Sequence, residues 1–261
     1  MTLERGSLVL VDYTAKVKDS NEIFETTHEE DAKKSDLYDP TRKYEPRLVS
    51  IGEGWVLKGL DEALATANLG DKLTIEITPD KGFGDRDPNK VRMIPQRKLG
   101  EKADNIKVGD VVEMYERPGI VRYVGSGRVQ LDFNHRFAGR TLTYDINILK
   151  KLETNDDKIM SLIRRRLPID DDKIKFKLID STLEIELAEE TFLAEGLQII
   201  KRAIANDIFK FVTTVSNIKF IEGYKPLQPQ SQQQQQPQPQ PQQQQLKAEE
   251  KPVQSTENKH A

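Results

Sequence analysis

From Ser7 to Lys150 the chain is built largely of short stretches in which apolar and polar residues alternate. Gly, Pro and Asp-rich turns cut them at close intervals. A period of two places successive side chains on opposite faces of a pleated strand, so most of this region must find its core by pairing strands into sheets. Residues 7–17 (SLVLVDYTAKV), 47–52 (RLVSIG), 71–78 (DKLTIEIT) and 140–150 (RTLTYDINILK) all read as strands. The clearest helical pattern between them is 55–68 (WVLKGLDEALATAN), whose apolar residues at 56, 57, 60, 63 and 64 share one face. Gly52 and Gly54 break the chain before it, and Gly70-Asp71 stops it. Residues 27–43 are polar, with Glu29 to Lys34 long enough for one helical turn. The Pro79 to Pro88 stretch has the composition of a loop.

Residues 90–131 carry short β-type segments (VVEMYER, GIVRYVG, GRVQLDF) separated by Gly and Pro turns, which predicts a small β-rich module. Beyond it, 153–166 reads as a helix closed by Pro168, with Ile159, Leu162 and Ile163 inward. Residues 173–178 and 182–187 read as a hairpin across Asp180-Ser181. A helical stripe follows through Leu193, Leu197, Ile200, Ile204 and Ile208, and then a strand over 211–220. This αββαβ order makes the C-terminal part an α+β unit. After Lys225 the sequence turns to Gln, Pro and charge, too little apolar surface to offset ordering entropy, and is expected to be disordered.

Charged residues form 32% of the chain but nearly cancel, to a net −3, which argues against a broadly basic nucleic-acid-binding surface. The sequence has no cysteine, so disulfides, thiolate metal sites and thiol nucleophiles are excluded. No apolar run approaches the ~20 residues that span a bilayer. The N-terminal segment lacks the basic region and apolar stretch of a secretory leader, so the expected location is the cytosol and no membrane partner is expected.

Little covalent chemistry is on offer. The three histidines are His28, His135 and His260, and no nucleophile elbow, phosphate-cradling loop or dinucleotide fingerprint accompanies them. Neither a metal site nor a cofactor is expected. Asp85 and Asp87 beside Arg86 read as a solvated turn. What remains is a set of aromatic and branched residues at strand ends and at the start of the short helix: Tyr13, Phe24, Trp55, Val56, Leu57, Leu60, Phe83 and Tyr144. Each alone reads as core. Trp55, between Gly54 and Val56, stands where the floor of an apolar pocket could form.

Taken in order, VDYTAKVKDSNEIFETT, VSIGEGWVLKGLDEALATANLGDKLTIEITPDKGFGDRDP and LDFNHRFAGRTLTYDINIL resemble FKBP-type peptidyl-prolyl cis-trans isomerases. The interruption between Asp87 and Asp132 falls where SlyD-like and archaeal long forms carry an inserted chaperone domain, the insert-in-flap domain. HEEDAKKSDLYDPTRKYEP resembles the charged bulge of the long form. The resemblance covers about residues 6–152. It implies an FKBP-type antiparallel sheet wrapped on a short helix (1–87 with 132–152), the inserted domain (88–131), the C-terminal α+β domain (153–225) and the Gln/Pro-rich tail (226–261).

The resemblance also implies roles. Tyr13, Phe24 and Tyr144 would wall a proline pocket. Val56 and Leu57 would form its entry, with the Leu57 N–H bonding a substrate carbonyl, and Leu60 would form the floor. Phe83, in GFG, stands where the family has Tyr, and Glu25 where it has Asp. Asn134-His135 and Phe137-Ala138 match the SlyD-like NH-x-LAG motif, placing His135 and Phe137 beside the substrate. Phe83 lacks the family's hydroxyl, Glu25 is a methylene longer, and Leu60 makes an aliphatic floor, so modest isomerase activity is expected. The metal-binding His-rich tail of SlyD is absent.

Rotation about an X-Pro bond crosses a barrier of about 18–20 kcal/mol and breaks no covalent bond. A dry aromatic pocket suits it, because the planar amide is more polar than its twisted form. In the insertion, Val111, Val112, Met114, Tyr115, Ile120, Val121 and Val124 offer apolar surface and open strand edges to unfolded chains, although alternation assigns about half of them to a private core. The partners implied are unfolded polypeptides with X-Pro bonds, nascent chains at the ribosome among them. The C-terminal unit can serve dimerisation. A holdase with a vestigial isomerase site is one rival reading. A ribosome- or RNA-associated factor, suggested by Arg164-Arg165-Arg166 and the β module, is another.

Overall fold

Ten residues rich in branched apolar side chains make Leu8–Val17 the strand around which the first sheet assembles. The computed structural model describes residues 3–167 and 169–224. In chain order these form β1 (Leu8–Val17), β2 (Ile23–Thr26), α1 (Glu29–Lys34), β3 (Arg47–Ser50), α2 (Lys58–Thr66), β4 (Lys72–Ile77), β5 (Val91–Pro95), β6 (Val111–Met114), β7 (Arg117–Gly125), β8 (Arg128–Asp132) and β9 (Leu142–Lys151). The C-terminal part adds α3 (Asn155–Arg166), β10 (Lys175–Ile179), β11 (Thr182–Leu187), α4 (Leu197–Phe211) and β12 (Asn217–Glu222). The class is α+β, with three separate sheets.

The first sheet runs β2-β1-β9-β4 and is antiparallel throughout, with β3 also on β1. β1 divides one edge between two partners. Leu8 to Val11 pair with β3, and Thr14 to Lys16 with β2, so residues 27–46 and α1 bulge out between them. β2 has only four residues, too few to show alternation in sequence; its ladder to β1 makes it a strand. Val9, Val11, Tyr13, Ala15 and Val17 share one core cluster with Leu142, Tyr144, Ile146 and Ile148 of β9 and with Leu60 and Leu64 of α2.

The helix begins at Lys58, three residues later than its apolar pattern suggests. Gly54 takes φ 64 and Leu57 is extended at φ −55 and ψ 144, which leaves Trp55, Val56 and Leu57 in the preceding loop. The Asp61 carboxylate stabilises that turn by accepting the N–H groups of Gly52 at 2.7 Å and Gly54 at 3.2 Å. Gly59 lets the helix lie close on the sheet, since a Cβ there would sit 2.7 Å from Ile77 Cγ2.

The second sheet, β5-β8-β7-β6, closes on its own small core of Ile94, Val112, Val121, Val129 and Leu131. Two 3₁₀ turns over Gln96–Asn105, kinked at Gly100, connect β5 to β6 where no helical period is visible in the sequence. The chain enters and leaves this sheet side by side, with Val91 paired to Asp132. The third sheet, β10-β11-β12, joins the β10–β11 hairpin to β12, which runs parallel to β11 after the α4 crossover. Leu193 is not on the buried stripe of α4. Gly196 at φ 72 starts the helix after it and leaves Leu193 97% exposed. The cluster beneath α3 and α4 also takes in Leu8 and Leu48 of the first sheet, with Leu10 and Trp55 packed on it.

The Gln/Pro-rich tail expected to be disordered, and His260 within it, lie outside the described residues. Among the described residues no helix is long and apolar enough to cross a membrane, and no cluster of metal-ligating side chains occurs.

Candidate active site

The inward face of β1 supplies Tyr13, and the register of the sheet brings its neighbours. Ala15 is paired with Tyr144 of β9 on one side and Glu25 of β2 on the other. β2 thereby presents Phe24 and Glu25 beside Tyr13. The loop after β4 adds Phe83, the loop before β9 adds His135 and Phe137, and α2 closes the base with Leu60.

These side chains converge. Ring centroids are 5.6 Å apart for Tyr13–Tyr144, 6.1 Å for Phe24–Tyr144, 4.6 Å for Phe24–Phe137, 6.1 Å for Phe24–Phe83 and 5.7 Å for Phe83–Phe137. Tilted and edge-on arrangements prevail, as the quadrupoles of aromatic rings favour. Leu60 is 2% exposed, while Phe24, Phe83, Val56 and Leu57 are partly buried against the same cluster. Phe83 has no hydroxyl, and the imidazole of His135 stacks on its ring at 4.1 Å and 16°. Burial, and then Arg136, hold the His135 pKa below its ordinary value.

One polar network stands at the edge of this cluster. The Tyr13 hydroxyl donates to Glu25 Oε1 at 2.7 Å, and Arg47 Nη1 donates to the Tyr13 oxygen at 2.7 Å and to Glu25 Oε1 at 2.6 Å. The longer Glu25 side chain therefore still reaches the pocket tyrosine. Burial and then the Glu25 charge push the Tyr13 pKa far up, and the same two causes raise Tyr144. Both phenols stay protonated. The Tyr144 hydroxyl and the Leu57 N–H carry no hydrogen-bond partner among the described residues. Beyond the network an open cleft of about 650 Å³ is lined by Glu25, Arg42, Arg47, Arg164 and Arg165, among others.

Arg47 is absent from the residues singled out in the sequence, where it simply opens a strand. The β1–β3 register, Val11 opposite Arg47, is what brings its guanidinium to Tyr13. Asp132 and Asn134 likewise show their use only in three dimensions. Asp132 is 2% exposed and accepts from Arg86 at 2.8 Å, Arg122 at 3.3 Å, and the Asn134 N–H and Nδ2 at 3.0 and 2.8 Å. Burial opposes its charge, but these donors outweigh it and hold its pKa below the carboxylate range. Asn134 also bonds both ways with the Asp87 backbone, at 2.9 Å each. The knot ties the segment that enters the second sheet to the one that leaves it.

Trp55 is not in the aromatic cluster. It packs edge-on against Phe211 of α4 at 5.4 Å, under the Arg165 guanidinium at 3.6 Å, because the loop geometry turns it toward the C-terminal helices. Nor do the residues picked from the insertion form one exposed surface. Val121 is 0% exposed and belongs to that sheet's core, since it sits on the inner face of the pleat; Met114 and Ile120 are half-buried, and Tyr115 is 58% exposed. The exposed apolar residues of this sheet are instead Tyr115, Met93, Val111 and Tyr123, with Val108 just before β6. Each arginine of the 164–166 triplet faces a carboxylate: Arg164 meets Glu45 and Asp171, and Arg165 and Arg166 share Asp207. The triplet is thus ion-paired within the fold.

Residues 1–102 match the family described as FKBP-type peptidyl-prolyl cis-trans isomerase, and residues 155–225 match the FKBP26_C-terminal family. The first match breaks off between β5 and β6, although β9, within the first sheet, comes after it. Among curated relatives, the short-type peptidyl-prolyl cis-trans isomerase of Methanocaldococcus jannaschii is 32% identical over 146 residues, 56% of this chain and 92% of that protein. A probable FKBP-type 16 kDa peptidyl-prolyl cis-trans isomerase of Pseudomonas fluorescens is 32% identical over 117 residues, covering 44% of this chain and 78% of the relative. The FKBP-type peptidyl-prolyl cis-trans isomerase SlyD of Helicobacter pylori is 24% identical over 131 residues, 49% of this chain and 70% of its own length.

Proposed function

The chain belongs to the family of FKBP-type peptidyl-prolyl cis-trans isomerases, and from that premise we propose that it turns X-Pro bonds within the cluster of Tyr13, Phe24, Leu60, Phe83, Phe137 and Tyr144. The observation that carries this reading is the convergence of those apolar side chains beside an unpartnered Leu57 N–H. A proline ring held among them leaves its preceding carbonyl at the rim, within reach of that donor. The planar imide is more polar than its twisted form, so transfer to an apolar site penalises the ground state more than the transition state. Each ~1.4 kcal/mol of this difference accelerates rotation tenfold. The Tyr13–Glu25–Arg47 network holds one wall in place. Phe83 gives up the hydrogen bond of the family's Tyr, and the stacked His135 keeps that wall flat.

Leu57→Pro tests the entry by removing the donor together with the Leu57 side chain. At φ −55 the backbone already suits proline, so the change removes the N–H with little strain at residue 57 itself. Proline-limited refolding should slow toward its uncatalysed rate in this variant and in Tyr13→Ala. Unchanged rates in both would reject the site.

In the long, insert-in-flap form of this family, the chain divides into 1–87 with 132–152, the insertion 88–131 and the C-terminal unit 153–225. The insertion holds unfolded polypeptides beside the isomerase site. Exposed Met93, Val111, Tyr115 and Tyr123, with the free edges of β5 and β6, support this. Holding a chain there raises the local concentration of its prolines at the site. Excising 88–131 should spare catalysis on short peptides and cripple catalysed protein refolding; an equal loss on both would refute the division of labour. Exposed Leu193 and Ile199 favour self-association through the C-terminal unit, which sedimentation of the full chain tests directly.

A further inference from the structure

The loop that carries Val56 and Leu57 has unusually little of its own to hold it. Among the described residues, the N–H groups of Trp55, Val56 and Leu57 donate to no acceptor. On its upstream side the loop is fastened to α2, where Asp61 takes the N–H groups of Gly52 and Gly54. Downstream, the Leu57 carbonyl accepts the Asp61 N–H of α2 at 2.9 Å, and the side-chain anchors of Glu53 and Trp55 lie in the C-terminal unit. Glu53 is ion-paired with Lys210 of α4. Trp55 meets Phe211 of α4 edge-on at 5.4 Å, and the Arg165 guanidinium of α3 lies 3.6 Å from its ring centroid. Arg165 is in turn bound at 3.2 Å to Asp207 of α4, which also takes Arg166 at 2.9 Å, so the cation is fixed to both helices. Trp55 is thus the side chain through which two C-terminal helices hold a backbone segment that ends, two residues later, at the free N–H of Leu57.

We infer that Trp55 is a positioning residue for the isomerase site, and that the α3–α4 pair, through Arg165 and Phe211, sets the place of the pocket entry. This rests on the assignment of Leu57 to that site. A loop without ladder hydrogen bonds keeps its geometry through side-chain packing, so loosening Trp55 spreads Val56 and Leu57 over several positions. The walls at Tyr13, Phe24 and Tyr144 belong to the sheet and do not move with it. The entry contacts the planar and the twisted substrate alike, so its loss acts mainly on substrate binding. The coupling is reciprocal: a peptide that orders the entry must also order Trp55 against Phe211 and Arg165.

Trp55 is the chain's one tryptophan, so its emission reports the joint without labelling. In the full chain, titration with a short X-Pro peptide should shift that emission with a midpoint equal to the KM of isomerisation. Trp55→Ala and Phe211→Ala should each raise KM by about five- to tenfold with kcat held within about twofold, and Trp55→Phe, which keeps an aromatic face, should restore KM. Arg165→Gln provides a milder variant should the larger truncations not fold, and it should raise KM in the same sense. A KM unchanged in folded Trp55→Ala or Arg165→Gln, or an emission blind to peptide in an active enzyme, would overturn the proposal. An unmodified chain that binds peptide with an emission change yet fails to isomerise it would overturn the isomerase site and leave the coupling standing.

Discussion

Tyr13 shows how a single side chain is divided between an apolar core and a polar network. Its ring belongs to the core, and its hydroxyl is shared between Glu25 and Arg47. Tyr13→Phe keeps the ring and removes two hydrogen bonds to charged partners, which should cost about 1–3 kcal/mol in chemical denaturation. Isomerase activity should fall less than in Tyr13→Ala, because the apolar wall survives. His135 yields a prediction in pH. Its folded pKa is depressed, so the unfolded chain binds more protons just below the ordinary histidine value near 6.5. The stability this represents is complete above that value and is lost as pH falls through the lower folded pKa. The melting temperature should therefore fall as pH drops below about 6.5, and His135→Asn should flatten that slope. An unaltered slope would mean that protonation elsewhere drives it. Tyr13, Phe24 and Tyr144 were legible in the sequence because they sit in motifs with fixed neighbours. Arg47 was not, since its use depends on pairing with a strand thirty-odd residues away.

Among the elements, α2 depends on how closely it can approach β4. A Cβ on Gly59 would meet Ile77 at 2.7 Å, so Gly59→Val should overpack the contact and destabilise the fold by about 1–3 kcal/mol. Because Leu57 and Leu60 flank Gly59, activity should drop in the same variant. Refolding assays alongside denaturation will show whether the two losses travel together. The junction of the insertion depends on Asp132. Asp132→Ala removes the acceptor for two half-exposed arginines and for both Asn134 donors, and should cost about 2–4 kcal/mol, with increased amide exchange at both ends of β5 and β8. Loss confined to the second sheet would show that the knot serves that sheet alone. The start of α2 is misplaced by the sequence pattern and β2 leaves no mark in it, for one reason. Apolar periodicity says which face is buried; where the backbone turns depends on Asp61 binding Gly52 and Gly54, and on a ladder supplied by β1.

Across the full chain, the three sheets are not equally independent. The second sheet keeps a core of its own, whereas the cluster beneath α3 and α4 contains Leu8 and Leu48 from the first sheet. The two possible truncations should therefore behave differently. Excision of 88–131 removes a unit joined through two adjacent strands and should leave a folded remainder. A chain ending at Leu152 bares Leu8, Leu10, Leu48 and Trp55, and should melt earlier and aggregate through that apolar patch. Differential scanning calorimetry with light scattering compares them directly, and equal stability of the two would contradict the shared core. The sequence signalled a change of character at 90 and again at 153, but not that one boundary is a joint and the other a common core.

Local pattern was sufficient for most of the strands, the α+β class and the turn-rich β segments over 90–131, because period and turn chemistry are properties of near neighbours along the chain. It could not decide which way Trp55 faces, which carboxylate each arginine meets, or which apolar residues of the insertion are inside. Those depend on strand register and on contacts between segments far apart in sequence, where a shift of one residue turns a side chain from the core to solvent.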